Sequence, residues 1–115
     1  MFFEYHQNNS GGVTDYDHKA GISVKVIVEA DSADHANERA RDIGLYFNGE
    51  GDCSCCGDRW YEQWNGSDGD PEPLVYGESV EDFVAKGDFW SNDVPEGTAT
   101  VYVHYLTGQI QGYYK

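Results

Sequence analysis

Ile22-Ser-Val-Lys-Val-Ile-Val-Glu-Ala-Asp-Ser-Ala-Asp-His-Ala-Asn-Glu-Arg-Ala-Arg-Asp-Ile-Gly-Leu-Tyr-Phe47 changes its period halfway along, and that change decides the fold. In its first part Ile22, Val24, Val26 and Val28 alternate with Ser23, Lys25 and Glu29, the spacing of a strand with one buried face. Ile27 is the one large apolar residue on the other side. Asp31 and Ser32 then stand where a side-chain oxygen can cap free helix N–H groups. From there Ala33, Ala36, Ala40, Ile43 and Phe47 recur at steps of three and four, one stripe of a helix. The alanines allow a close approach to a sheet, and Gly44 ends the helix. Asp34, His35, Glu38, Arg39, Arg41 and Asp42 form the solvated face.

Working outward, Phe2–His6 predicts a short N-terminal strand. Residues 7–21 read as a polar loop with an extended piece near Val13. Thr98 to Leu106 is rich in β-branched and aromatic residues, Thr107-Gly108 supplies a turn, and Gln109 to Tyr114 returns, the pattern of a C-terminal hairpin. Val101, Val103 and Tyr105 share one face of it; Tyr102, His104 and Leu106 share the other. In the middle, Arg59–Trp64 and Leu74–Tyr76 read as short strands around a turn-rich acidic loop. Ser79 opens a second helix reaching Lys86, with Asp82 at the capping-box position and Val80, Phe83 and Val84 on its apolar side. The expected fold class is α+β: one domain over 1–115, an antiparallel sheet of four to five strands, a main helix at 32–44 and a short one at 79–86.

Composition narrows the function classes. The chain of 115 residues has a formal net charge of −14. Residues 48–96 hold thirteen acids against two bases and account for eleven of those charges, in the stretch that also contains every cysteine and every tryptophan. Such a field repels nucleic acid and anionic lipid and attracts basic protein surfaces. Aromatic content of 15% excludes a wholly disordered acidic chain. No run of apolar residues is long enough to span a bilayer, and the N-terminus lacks a basic n-region and an apolar h-region, so a cytoplasmic location is expected. No Ser/His/Asp order, phosphate-binding glycine loop or Walker lysine is present, and no enzyme is expected.

Cys53-Ser54-Cys55-Cys56-Gly57 is the one motif with chemistry in it. A Cys-x-x-Cys turn followed by glycine can aim two thiolates at one zinc ion. Cys53 and Cys56 would be its ligands. Cys55, His6, another of the histidines (His18, His35, His104), Asp52 or Asp58, or a residue of a second chain in a homo-oligomer would complete the set. The competing reading is three reduced thiols packed against Trp60 without metal. Asp52 and Asp58 flank the cluster and oppose the lowered thiol pKa that redox chemistry needs.

Acids interleaved with large aromatics suggest a protein-facing patch with apolar anchors and a rim that steers a basic partner. Its contact residues would be Glu50, Asp52, Asp58 and Glu62 before the acidic loop, Asp68, Asp70 and Glu72 within it, and Glu78, Glu81 and Asp82 after it. Trp60 and Trp64 would be the anchors; the alternative is that these rings fill a thin core. A small-molecule reading, such as sequestration of a nucleotide signal, would instead need cations, and Arg39, Arg41 and Arg59 are the candidates.

Three segments carry a resemblance: Met1-Phe-Phe-Glu-Tyr-His-Gln-Asn-Asn-Ser-Gly-Gly12, Ile27-Val-Glu-Ala-Asp-Ser-Ala33 and Cys53-Ser-Cys-Cys-Gly-Asp-Arg-Trp60. Together they resemble a family of small acidic proteins of unknown function encoded by tailed bacteriophages. The resemblance touches the first two-thirds of the chain and implies a setting, a phage accessory protein made inside a bacterial cell. The expectation is a non-enzymatic protein that binds and inhibits a host defence protein through an acidic, DNA-mimicking surface.

Overall fold

The structure, a computed structural model, describes residues 1–6, 17–23, 25–45, 60, 63, 68–75, 77–86 and 98–114. Its element order is β1 (Phe2–His6), β2 (Lys25–Glu29), α1 (Ala33–Ile43), β3 (Leu74–Val75), β4 (Glu78–Ser79), α2 (Val80–Lys86), β5 (Val101–His104) and β6 (Ile110–Tyr113). The class is α+β, with one main helix and a four-stranded sheet of order β1-β2-β5-β6; β3 and β4 form a separate two-stranded ribbon. Two of the sheet's three pairings are antiparallel. The central one, β2 with β5, is parallel, with Lys25 opposite Val101 and Val28 opposite His104. Parallel neighbours need a long crossover, and here it carries α1, the ribbon and α2.

The central position of β2 buries it on both faces, where the alternation alone predicts one. Lys25, Val26, Ile27 and Val28 are all buried. On one side Val26 and Val28 join Phe3 and Tyr5 of β1 under the alanine stripe of α1, formed by Ala33, Ala36 and Ala40. On the other side Ile27 joins Val101 and Val103 under Val75 and the α2 residues Val80, Phe83 and Val84. Each fully buried Val or Ile contributes roughly 1.5–3 kcal/mol, so neither layer is dispensable.

Both helices are capped as their sequences predict. Ser32 has extended φ/ψ of −154° and 169°, and its Oγ accepts from the His35 N–H. Gly44 closes α1 at φ 124°, donating its N–H to the carbonyls of Ala40 and Arg41. The Ser79 Oγ accepts from the Asp82 N–H at the start of α2. Gly21 sits at φ 77°, and a β-carbon there would lie 2.7 Å from the ring of buried His104, whose Nε2–H donates to the Gly21 carbonyl at 2.8 Å. The tight loop before β2 and the hairpin are therefore locked together by a residue without a side chain.

Trp60 is only 1% exposed and belongs to the core under α1. As an anchor for a partner it is thereby corrected: its indole is buried in the cluster that holds Phe3, Tyr5 and the helix alanines. Trp64 lies outside the described residues. The segment holding Trp60 is moored by Asn37, a buried polar residue on the otherwise apolar stripe. The Asn37 amide behaves as a peptide group. Its Oδ1 accepts from the Gln63 N–H and the Tyr5 hydroxyl, both at 2.8 Å, and its Nδ2 donates to the Gln63 carbonyl at 2.8 Å. Gln63 also donates through Nε2 to the Glu4 carbonyl. Replacing Asn37 by Ala leaves a buried hydroxyl and a peptide unit without their partners, at about 1–3 kcal/mol for each group. We expect Asn37→Ala to lower stability by about 3 kcal/mol in urea unfolding and to shift tryptophan emission to the red. A change below about 1 kcal/mol would show that Asn37 is not the mooring.

Candidate functional site

The acidic residues read from the sequence do not form one patch. Asp70 pairs its backbone with Phe2, N–H to carbonyl in both directions at 2.8 and 2.9 Å, which fixes Asp68–Glu72 along the outer edge of β1. Asp68 and Glu72 are exposed and Asp70 is half-buried. Glu81 and Asp82 are exposed in the first turn of α2, and Glu81 faces β6 at the opposite edge of the sheet. Half-buried Glu78 lies in the ribbon. Three strand spacings separate β1 from β6, roughly 14 Å at 4.7–4.9 Å each. The acids thus flank the sheet from two sides. Glu50, Asp52, Asp58 and Glu62 lie outside the described residues.

Beside Glu81 a groove of about 600 Å³ opens between α2 and β6, lined by Val84, Ala85, Gly112, Tyr113 and Tyr114. Burial raises the Tyr113 phenol, assisted by its hydrogen bond to Tyr105 and by the nearby Glu81 carboxylate. Gly112 lacks a side chain where the rings of Tyr102 and Tyr114 converge; a β-carbon would sit 3.0–3.2 Å from Ala99, Tyr102 and Tyr114. The Tyr102 hydroxyl accepts from the Ala99 N–H and shares a hydrogen bond with His18 Nδ1 at 2.8 Å. Ile110 and Tyr114 are exposed at 44% and 54%. This groove is the feature that the sequence reading missed, because its two walls are separated by the stretch between α2 and the hairpin.

Arg39, a candidate cation for a small-molecule ligand, is engaged within the fold. Its Nη1 donates to the Glu29 carbonyl and its Nη2 to the Tyr105 carbonyl at 3.0 Å, tying α1 to the ends of β2 and β5. The Glu29 carboxylate then accepts from the Leu106 N–H at 3.0 Å. Arg41 is exposed on the solvent side of α1, and Arg59 lies outside the described residues.

His6, the histidine proposed to join Cys53, Cys55 and Cys56 around zinc, faces Lys25 directly across the β1–β2 pair. Its Nε2 is 3.4 Å from Glu4 Oε2. Burial, then the Lys25 charge, push its pKa down to about 4. Lys25, itself 5% exposed, is also lowered by burial while Glu4 opposes the shift. An ammonium beside His6 repels a metal cation. Among the described residues no group of three His, Cys, Asp or Glu side chains comes together as a metal site; the cysteines lie outside them.

The family model of a domain of unknown function, DUF7296, matches residues 1–115. The chain belongs to the DUF7296 family. No curated protein and no solved structure matches it closely enough to count as a relative. Among the described residues of this DUF7296 domain, no helix is long and apolar enough to cross a membrane.

Two measurements check these assignments. Arg39→Ala removes two charged hydrogen bonds and should cost about 2–3 kcal/mol, against less than about 1 kcal/mol for Arg41→Ala, which deletes the same charge. Equal losses in urea unfolding would return Arg39 to the surface. His6 is neutral when folded below its ordinary value of 6.5, so the unfolded chain binds the proton first and stability falls as pH drops from 6.5 towards 4. The stability difference between the wild type and His6→Gln should shrink across that window and stay level on either side. A difference independent of pH would contradict the packing of His6 against Lys25.

Proposed function

We propose that this protein is a non-enzymatic binding protein that occupies a basic surface on another protein, its carboxylates standing in for nucleic-acid phosphates. The observation carrying this reading is the placement of Asp68, Glu72, Glu81 and Asp82: all are exposed, the first two beside the outer edge of β1 and the last two in the first turn of α2. The setting that the phage resemblance implies is the cytoplasm of a bacterial host, where the partner would be a nucleic-acid-handling defence protein.

Groups shifted by burial are engaged in the scaffold, which supports a binding role over catalysis: His6 lies opposite Lys25 in the β1–β2 pair. His104 is held by the Gly21 carbonyl, Lys25 sits inside the sheet beside Glu4, and Tyr113 bonds to Tyr105. Each has a structural task. The nucleotide-sequestering alternative is weakened by the engagement of Arg39 with two backbone carbonyls.

The test is displacement. Bacterial proteins retained on DNA-cellulose should be released by the wild-type protein, with an apparent affinity that falls steeply as salt rises. The variant carrying Asp68→Asn, Glu72→Gln, Glu81→Gln and Asp82→Asn should release them at least roughly tenfold less effectively, since each contact to a charged group contributes about 1 kcal/mol or more. Release that ignores both salt and these substitutions would overturn the proposal.

A further inference from the structure

Strand β6 ends the sheet, and among the described residues nothing pairs with its outer side. The Tyr105 N–H donates to the Gln109 carbonyl, so in the alternation of an antiparallel pair Ile110 and Gly112 turn their own N–H and C=O groups outward. Proteins usually blunt such an edge with charges, proline or a bulge. Here Ile110-Gln-Gly-Tyr-Tyr114 has neither charge nor proline, although the chain carries −14. The opposite edge, at β1, is covered in part by the backbone bridge from Phe2 to Asp70.

The two faces of the β6 edge differ chemically. On the α2 side the groove has apolar walls from Val84, Ala85 and Tyr113, with the Glu81 carboxylate at its mouth. Long cationic side chains fit such a place, stems along the apolar wall and charged heads at the acid. On the α1 side Ile110 stands exposed, and exposed Tyr114, which also lines the end of the groove, follows β6; both offer apolar area. Successive residues of an added strand would alternate between these faces. We propose that the edge of β6 receives an extended segment of a partner protein in which basic and apolar residues alternate, added as a fifth strand of the sheet. Its lysines or arginines enter the α2 groove towards Glu81, and its apolar residues cover Ile110 and Tyr114. Main-chain hydrogen bonds would supply affinity and the two side-chain rows specificity. This deepens the reading of the protein as an acidic binder and rests on it.

The probe is the synthetic peptide acetyl-(Val-Lys)4-amide, labelled and followed by fluorescence anisotropy with the full chain. Comparison peptides are the same octamer with its four central backbone nitrogens methylated, which keeps the charge but cannot pair as a strand, and acetyl-(Val-Glu)4-amide. Binding of the first peptide should exceed that of the methylated one by tenfold or more, with the Glu peptide unbound. Ile110→Pro, which deletes an outward N–H, should weaken the first peptide about tenfold, and Glu81→Gln about threefold to tenfold. Both variants should keep the wild-type circular dichroism spectrum, and the methylated peptide tests the same pairing with the protein unaltered. Equal binding of the plain and methylated octamers, both weakened by Glu81→Gln, would overturn strand addition while leaving the acidic-surface reading intact. Octamer binding unaffected by Glu81→Gln and by salt would overturn both. A symmetric dimer in sedimentation that Ile110→Pro dissolves would assign the edge to a second copy and also overturn the proposal.

Discussion

The structure hangs on burying both faces of β2. Every residue from Lys25 to Val28 is buried, so both faces of this central strand are covered. Phe3, Tyr5 and the alanines of α1 cover Val26 and Val28; α2 and the β3–β4 ribbon cover Ile27. Among the described residues the two layers form separate apolar clusters on opposite sides of the sheet. The helix alanines let α1 approach Val26 and Val28 closely, and the second layer keeps Ile27 dry on the other face.

Polar groups hold these layers in register. Asn37 imitates a peptide unit towards Gln63, Arg39 grips the carbonyl ends of two parallel strands, and His104 reaches Gly21 across the sheet end. Burial of Lys25 beside Glu4 and His6 adds a charge inside the fold. Two of the seven basic residues, Lys25 and Arg39, are thus committed to the scaffold. What remains on the surface is more one-sidedly negative than the formal total implies. Self-repulsion of that surface opposes folding, which makes the interior hydrogen bonds more consequential than in a neutral domain.

Much of this was legible from residue order. The switch of period at Glu29–Ser32, the Ser32 and Gly44 caps, the Ser79 start of α2 and the Thr107-Gly108 turn are local signals, and local signals are written in neighbouring residues. The partner of β2 was not legible, because nothing in Lys25–Glu29 says that Val101–His104 will lie beside it and parallel. That one missing fact hid the second buried face, made Lys25 look solvated and left the α2–β6 groove unseen. Asn37 offered a fainter clue, a polar residue between Ala36 and Ala40 on an apolar stripe. Among the site residues, exposure of Asp68, Glu72, Glu81 and Asp82 follows from their charge, but their division between two sheet edges follows only from topology. Trp60 and Arg39 misled for the same reason: an aromatic ring and a guanidinium suit either a surface contact or the interior, and only tertiary neighbours decide.

The parallel pairing of β2 with β5 has a consequence for how the molecule is made. On the ribosome β1, β2 and α1 emerge before the neighbour that completes the middle of the sheet, which follows only after the ribbon and α2. At typical elongation rates of about 5–20 residues per second, Val28 waits roughly 4–15 s for His104. Throughout that delay β2 is itself an unprotected border, open to chaperones, proteases and sister chains. The pace of synthesis between β2 and β5 would therefore govern how much of the protein reaches its native form.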